Sequence, residues 1–493
     1  MAKESLKKKT VKGTIWSTIE RFSVQAIQFI VMIFMARVLT PAEYGIVGMI
    51  TVFIAVSQSL VDSGFSQALI RKQDRTQLDN STVFYFNIAV GIILYFVLFF
   101  CAGPISKFYH EPILVPVTRL VAISLPLTSL AVVQRANLTI KIDFKTQAKA
   151  TLAAAICTGA VGLSMAYTGF GVWALVWSQI TNSFVNTLLL WIFAHWRPSW
   201  EYSWKSFKEL FNFGSKLLAS GLIDTLYRNI YLIVIGKVFK ASDLGYYTRA
   251  QQFSHFASTN ITGIVQRVTY PILCTIQNED DRLADVYRRF LKISAFVIFP
   301  LMTGMSGVAY PLVVSILTEK WLYSATLLTP ICLAGMWYPI HAINLNLLQV
   351  KGRSDLFLKL EIWKKIIGAA IVCGTIPLGL YWMCWGAVLS SIIALIINTH
   401  YTGKLINLGF LRQMKDLLPI LILSLAMGVA SWAVVTFIPM RSGAALAAGV
   451  GTGIIFYIGF AKAFRFKEFS ELISLIKKNG RKNNGNVSPV AAS

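Results

Sequence analysis

Apolar segments of roughly 20 to 28 residues follow one another from about residue 13 to residue 462, separated by short polar breaks. A helix needs about 20 apolar residues to cross some 30 Å of hydrocarbon, and a backbone in lipid must satisfy its own hydrogen bonds. The pattern therefore predicts an all-α polytopic membrane protein. The segments fall at about 13–36, 44–70, 81–102, 114–136, 146–168, 171–194, 211–236, 246–271, 290–314, 323–350, 356–378, 383–406, 416–438 and 443–462, about fourteen in all. Five lysines between Lys3 and Lys12 precede an apolar run that reaches Ala36. That run is too long for a signal-peptide core and has no small-residue cleavage site, so a retained first helix is expected.

Charge tests this topology independently. The chain is 55% apolar and only 14% charged, with mean hydropathy +0.61 and a formal charge of +24. On a soluble protein such a charge would suggest nucleic acid, but in a membrane protein Lys and Arg collect in cytoplasmic loops. With the N-terminus placed inside, the inside breaks carry Arg71, Lys72 and Arg75; Arg135, Lys141, Lys145 and Lys149; Arg197, Lys205 and Lys208; and Arg282, Arg288, Arg289 and Lys292. They continue with Lys351, Arg353, Lys359, Lys364 and Lys365, then Lys404, Arg412 and Lys415. The outside breaks hold little beyond Arg37, Lys107, Lys237, Lys240, Lys320 and Arg441. This alternation predicts an even number of spans, both termini cytoplasmic and no nucleic-acid partner.

No break exceeds roughly twenty residues, which leaves no room for a folded extramembrane domain. After the last span, Phe466, Phe469, Leu472, Ile473 and Ile476 recur at helical spacing among Lys467, Lys477 and Lys478, the pattern of an interfacial amphipathic helix over 463–478. The Asn-, Gly- and Ser-rich stretch 479–493 is expected to be disordered. Cys101, Cys157, Cys274, Cys332, Cys373 and Cys384 lie far apart in apolar sequence and read as buried thiols. Neither they nor the five scattered histidines have metal-site or redox spacing. No nucleotide, zinc-protease or nucleophile-elbow motif occurs, so no catalytic site, no metal site and no cofactor is expected.

An internal repeat organises the chain. Arg37-Val38-Leu39-Thr40-Pro41-Ala42-Glu43-Tyr44-Gly45 aligns without gaps, at an offset of 200, on Lys237-Val238-Phe239-Lys240-Ala241-Ser242-Asp243-Leu244-Gly245. Each closes one long apolar helix and opens the next, with a base, an acid and a glycine in register. The offset equals six spans. The reading is a basic start at 1–12, an N-lobe of spans 1–6 at 13–194, a cytoplasmic linker at 195–210 and a C-lobe of spans 7–12 at 211–406. Two further spans follow at 416–462. Transporters commonly place a central site between two such pseudo-symmetric lobes.

Ionisable groups inside spans are costly and usually face a cavity. In the first span Ser17, Arg21, Gln25 and Gln28 share one helical face, with Glu20 beside them. The second span adds Gln58, Asp62 and Ser66, and the seventh Ser220, Asp224 and Arg228 at spacing 4 and 4. In the eighth, Gln252, His255, Thr259, Thr262 and Gln266 follow a 3-4-3-4 rhythm between Arg249 and Arg267. The bland alternatives are interhelical hydrogen-bonding glue, snorkelling ends and an internal Asp224–Arg228 pair. The functional reading is a polar cavity whose basic bias favours an anionic substrate. Arg21, Gln25, Gln28, Arg228, Arg249, Gln252, His255 and Arg267 are its expected lining, and Glu20, Asp62 and Asp224 its coupling candidates.

Several short motifs give the chain a family likeness: Gly13-Thr14-Ile15-Trp16-Ser17, Leu39-Thr40-Pro41-Ala42-Glu43-Tyr44-Gly45, Asp62-Ser63-Gly64-Phe65, Ile70-Arg71-Lys72, Phe213-Gly214 and Glu319-Lys320-Trp321. In that order and spacing the chain resembles the Wzx-like polysaccharide flippases of the multidrug/oligosaccharidyl-lipid/polysaccharide exporter superfamily. The resemblance implies fourteen helices in two lobes and an inward- and outward-facing cycle in a bacterial inner membrane. It also implies transfer of undecaprenyl-pyrophosphate-linked oligosaccharide to the periplasmic leaflet, and a cationic cavity, which agrees with Arg21 and Arg228. Parting of helices 1 and 8 to admit the lipid tail comes from the resemblance alone.

The implied partners are the lipid-linked oligosaccharide, membrane lipids and the polysaccharide polymerase machinery. No family coupling motif maps onto the chain, and a proton or sodium ion remains the candidate coupling species. Sugar contacts are expected on positions such as Asn182, Asn186, Trp337 and Asn344. Two alternatives stand beside this reading. A drug or cation antiporter should have a carboxylate-dominated cavity, and a membrane glycosyltransferase or polymerase should carry a sizeable outer loop.

Overall fold

The computed structural model describes residues 2–62, 64–471 and 473–474, and among them the chain is helical with no strand. The chain divides into two compact units, Met1–Thr248 and Arg249–Ser493. The first contains α1 (Ala2–Val38), α2 (Pro41–Asp62), α3 (Phe65–Arg71), α4 (Gln77–Tyr109), α5 (Leu114–Val121), α6 (Ser124–Ser129), α7 (Val132–Ile140), α8 (Phe144–Tyr167), α9 (Val172–Phe193), α10 (Trp204–Arg228) and α11 (Ile230–Val238). The boundary falls within α12 (Ala241–Thr275). The second unit continues with α13 (Asp280–Gly307), α14 (Ala309–Leu317), α15 (Leu322–Gly335), α16 (Tyr338–Val350), α17 (Ser354–Thr375), α18 (Leu380–Ile406), α19 (Phe410–Phe437) and α20 (Ser442–Ala463).

Local chemistry accounts for the breaks. Thr76 and Asp79 form a reciprocal capping box that starts α4, and the Asp143 and Ser203 side chains cap α8 and α10. The fourth expected span is divided among α5, α6 and α7. Pro126 lacks an N–H and its ring crowds the carbonyl of Ala122, which is where α5 gives way to α6. Pro339 does the same to Gly335, so the tenth expected span becomes α15 and α16.

Ten helical stretches among the described residues are long and apolar enough to cross a membrane. The bent pair Leu217–Arg228 and Ile230–Val238, at 43°, makes up to eleven. Three further helices match expected spans in length: α9 with 22 residues, α12 with 35 and α17 with 22. They are more polar, α9 through Gln179, Asn182 and Asn186, so fourteen spans are not reached on length and composition alone.

Burial is arranged for lipid rather than water. Phe100, Phe437 and Ile455 are each more than 70% exposed on apolar helices, as expected where hydrocarbon is the solvent. The cysteines correct one expectation: only Cys332 and Cys384 are buried, whereas Cys101, Cys157 and Cys373 are exposed. A thiol is a small apolar group, at home against lipid as in a core.

In the first unit, α8 packs on α1 and α9 through small residues. A Cβ on Gly159 would crowd Val31, and one on Gly162 would crowd Met35 and Ser178. In the second unit, α13 and α19 are joined along their length. Arg288 grips Asp416 in a bidentate pair at 2.6 and 2.7 Å, the Thr303 hydroxyl donates to the Ser424 carbonyl at 2.8 Å, and Gly307 lies against the Gly428 carbonyl. Residues 467–471 are helical; Phe466 and Phe469 reach Phe296, and Glu471 pairs with Arg289 at 2.8 Å. Leu472, Ile476, Lys477, Lys478 and the expected disordered stretch lie outside the described residues.

A buried polar network sits between α16, α18 and α19. His341 bonds Ser391 at 3.1 Å and Asn398 at 3.3 Å, while Asn344 bonds Gln413 at 3.2 Å and Thr402 at 2.8 Å. Asn344 is thus consumed internally, and Trp337 is buried with its ring against Phe299. Both side chains are therefore closed to a ligand in this conformation.

Candidate functional site

The site begins in the first unit where α1 packs on α8 and α7 packs on α8 and α3. Glu20 on α1 accepts a 3.0 Å hydrogen bond from the Thr151 hydroxyl of α8. Thr151 also donates to the Gln147 carbonyl, and the Gln147 amide donates to the Arg135 carbonyl of α7 at 3.2 Å. Asp62 ends α2 and accepts from Ser66 at 2.5 Å. The Arg135 side chain keeps exposed surface in a crowded surround, and burial, Asp62 and Glu20 all act on its charge. Two of the three coupling candidates therefore share one basic group. The loop charges of the sequence include Arg135; its position inside the predicted span 114–136 is the signal that sets it apart from them.

Arg21 and Gln28 are exposed and Gln25 partly buried along α1. Among the described residues Arg21 has no hydrogen-bond or ion-pair partner. The Gln25 side-chain carbonyl is shielded from solvent without a donor, a state that invites a ligand or water. On α10, Thr225 and Ser59 of α2 exchange a hydroxyl hydrogen bond at 3.1 Å. Beside it Asp224 and Arg228 form the i, i+4 pair at 2.7 Å, with their side chains 46% and 68% exposed. The third coupling candidate is thus tied to its own base.

In the second unit, α12 separates two polar faces. Ser254, Ser258, Thr262 and Thr269 are buried; Ser254 bonds the Ile331 carbonyl at 3.4 Å and Thr269 accepts from Asn346 at 3.3 Å. This face is helix-packing glue and takes Thr262 out of the expected stripe. His255, Gln266 and Arg267 are exposed, while Arg249 and Gln252 are partly buried.

The repeat motif closes on itself. A Cβ on Gly45 would overlap the Ala241 carbonyl, and one on Gly245 would overlap the Pro41 carbonyl. Residues 41 and 45 map on 241 and 245 at the offset of 200, so the contact is reciprocal, as a local two-fold demands. The acids in register are caps: Glu43 accepts from the Thr40 N–H at 2.6 Å and Asp243 from the Lys240 N–H at 3.2 Å. A second cluster joins three other motifs. Gly64, at φ +68°, lies with its Cβ position 2.6 Å from the Gly214 carbonyl, and Arg71 stands 4.4 Å over the Phe213 ring. Lys72 bridges Asp79 at 3.2 Å and Glu209 at 3.0 Å. Burial would lower the Lys72 pKa, but the two carboxylates hold it above its ordinary value.

A family model described as "Polysaccharide biosynthesis protein" matches residues 34–326. The chain belongs to that family. Among its relatives, the teichuronic acid biosynthesis protein TuaB of Bacillus subtilis is 26% identical over 92% of this chain and 95% of its own length. The lipopolysaccharide biosynthesis protein WzxC of Escherichia coli K12 is 24% identical over 86% and 89%. The fold matches the inward closed conformation of the lipid II flippase MurJ at TM-score 0.75, with 13% identity over 92% and 99% of the two chains. An inward-facing multidrug resistance MATE family transporter of the MOP superfamily matches at 0.62, with 14% identity over 80% and 98%. The resemblance to Wzx-like exporters is borne out, and this polysaccharide-biosynthesis family member is a multi-helix chain whose fold is that of MurJ and the MATE transporters.

Proposed function

We propose that this protein carries an anionic, polyprenyl-pyrophosphate-linked oligosaccharide from the cytoplasmic to the outer leaflet of a bacterial inner membrane, by alternating access through fourteen spans with both termini cytoplasmic. The observation that carries the reading is the set of accessible guanidiniums on apolar helices, Arg21, Arg135 and Arg228, in a chain whose relatives serve polysaccharide synthesis. Hydrocarbon rejects a pyrophosphate, and a guanidinium offers it bidentate, charge-assisted hydrogen bonds. The residues of α12, Arg249, Gln252, His255 and Arg267, are proposed to complete the substrate path. Reconstitution with undecaprenyl-pyrophosphate-linked oligosaccharide tests the function, and transport of organic cations in its place would favour an antiporter.

Orientation has its own test. In a background without the six native cysteines, Gln73→Cys should be shielded from an impermeant thiol reagent in intact cells and Lys240→Cys should react; both side chains are exposed. The opposite labelling overturns the cytoplasmic termini.

Moving two negative charges outward across roughly 100 mV, inside negative, gains about 4–5 kcal/mol, so the potential alone suffices to drive export. Asp224 is neutralised by Arg228, which leaves Glu20 or Asp62 as the route by which a coupling proton resets the carrier. Proteoliposomes with the pH gradient and the potential imposed separately should lose the gradient response in Glu20→Gln combined with Asp62→Asn. A wild-type protein that follows only the potential removes proton coupling.

A further inference from the structure

Arg135 sits at a depth that the substrate dictates. α1 leads into the turn at residues 39–40 and α2 leads away from it. At 1.5 Å per residue, Glu20 and Asp62 lie about 27 and about 31 Å along their helices from that turn. This is close to one hydrocarbon thickness, so both carboxylates lie toward the membrane surface opposite that turn. The bond chain through Thr151 and Gln147 holds α7 against the same place, and α3, which carries the Ser66 partner of Asp62, packs on α7. Among the described residues no carboxylate comes within ion-pair distance of Arg135. Its side chain stays exposed, with Asp62 and Glu20 near enough to act on it electrostatically and neither bonded to it.

A guanidinium left open toward the membrane surface is fitted to the phosphates of a membrane-anchored lipid. A carrier must also let its cargo go, and a bare arginine site would hold pyrophosphate too tightly to turn over. Fixed carboxylates around it reduce the positive potential felt by a bound anion and compete for the same donors. We propose that Arg135 is an anion-binding residue of the transport site, which receives the pyrophosphate group at the membrane surface, and that Glu20 and Asp62 are competing counter-ions that keep its grip reversible. This inference rests on the reading of a pyrophosphate-linked substrate.

The test is titration of the full-length protein in detergent with undecaprenyl pyrophosphate, alongside melting curves. Arg135→Gln should weaken binding about tenfold or more with little change in melting, and Arg135→Lys should recover part of the loss, since an ammonium keeps the charge without the planar fork. Glu20→Gln combined with Asp62→Asn should tighten binding several-fold and slow dissociation. Wild-type binding that Arg135→Gln leaves unchanged overturns the inference while leaving the substrate reading intact. Tightening absent from the double acid variant removes the counter-ion role. A folded wild-type protein with no affinity for the lipid pyrophosphate overturns the substrate reading itself.

Discussion

Alanine at Gly45 or at Gly245 is expected to abolish export and lower the melting temperature of the purified protein, whereas Gly103→Ala leaves both unchanged. At the first two positions the added Cβ meets a backbone carbonyl, of Ala241 and of Pro41 respectively, while at Gly103 nothing lies within 4 Å. A side-chain clash can relax by rotation, but a carbonyl at the start of a helix moves only with its helix. Overpacking of well-fitted interiors costs about 1–3 kcal/mol, and a backbone collision belongs at or above that range. Because the contact is reciprocal, the two variants should behave alike, and the double variant should cost less than the sum of the singles once the seam is open. Complementation and thermal unfolding measured side by side decide it. Normal export by Gly45→Ala would mean that this seam is not needed for the transport cycle.

That seam also marks how far the sequence could be read. The offset of 200 was visible as an acid, a base and a glycine in register, and the structure brings those two stretches into contact with each other. The roles of the matching residues came from geometry. Glu43 and Asp243 satisfy helix-start N–H groups, and the glycines let two helices touch backbone to backbone. Spans that are apolar throughout were legible because lipid leaves a helix few alternatives. Those broken by Pro126 and Pro339 were not resolved into pieces, since hydropathy is blind to a missing N–H.

The candidate site was legible in part for a related reason. Helical spacing placed Asp224 and Arg228 one turn apart, and they pair. Arg135 reads as loop charge in the sequence, because positive charge near a span end looks the same whether it meets cytoplasm or a bay between helices. Only the positions of Glu20 and Asp62 distinguish the two. Asn344 and Trp337 are packed inside the protein, which their polarity and aromaticity do not report, since neither tells which face of a helix is packed.

Arg21→Ala and Arg228→Ala are each expected to cut export about 30-fold or more, with the protein still present in the membrane. Removing one partner of a charge-assisted contact to phosphate costs about 2 kcal/mol or more, and lysine should restore only part of it because it lacks the planar fork. Arg21 is open for such a contact, having no partner among the described residues. Arg228 is not, since Asp224 already holds it at 2.7 Å. That pair, however, is i, i+4 and largely exposed, an arrangement worth only about 0.3–0.5 kcal/mol, so a pyrophosphate outcompetes it easily. Asp224→Asn should therefore leave export near normal, unlike Arg228→Ala. The comparison separates binding from a structural pair: if the ion pair itself mattered, both substitutions would fail equally. Full complementation by both arginine variants would return Arg21 and Arg228 to surface anchoring and leave Arg135 as the one guanidinium in the first unit with a case for the phosphates.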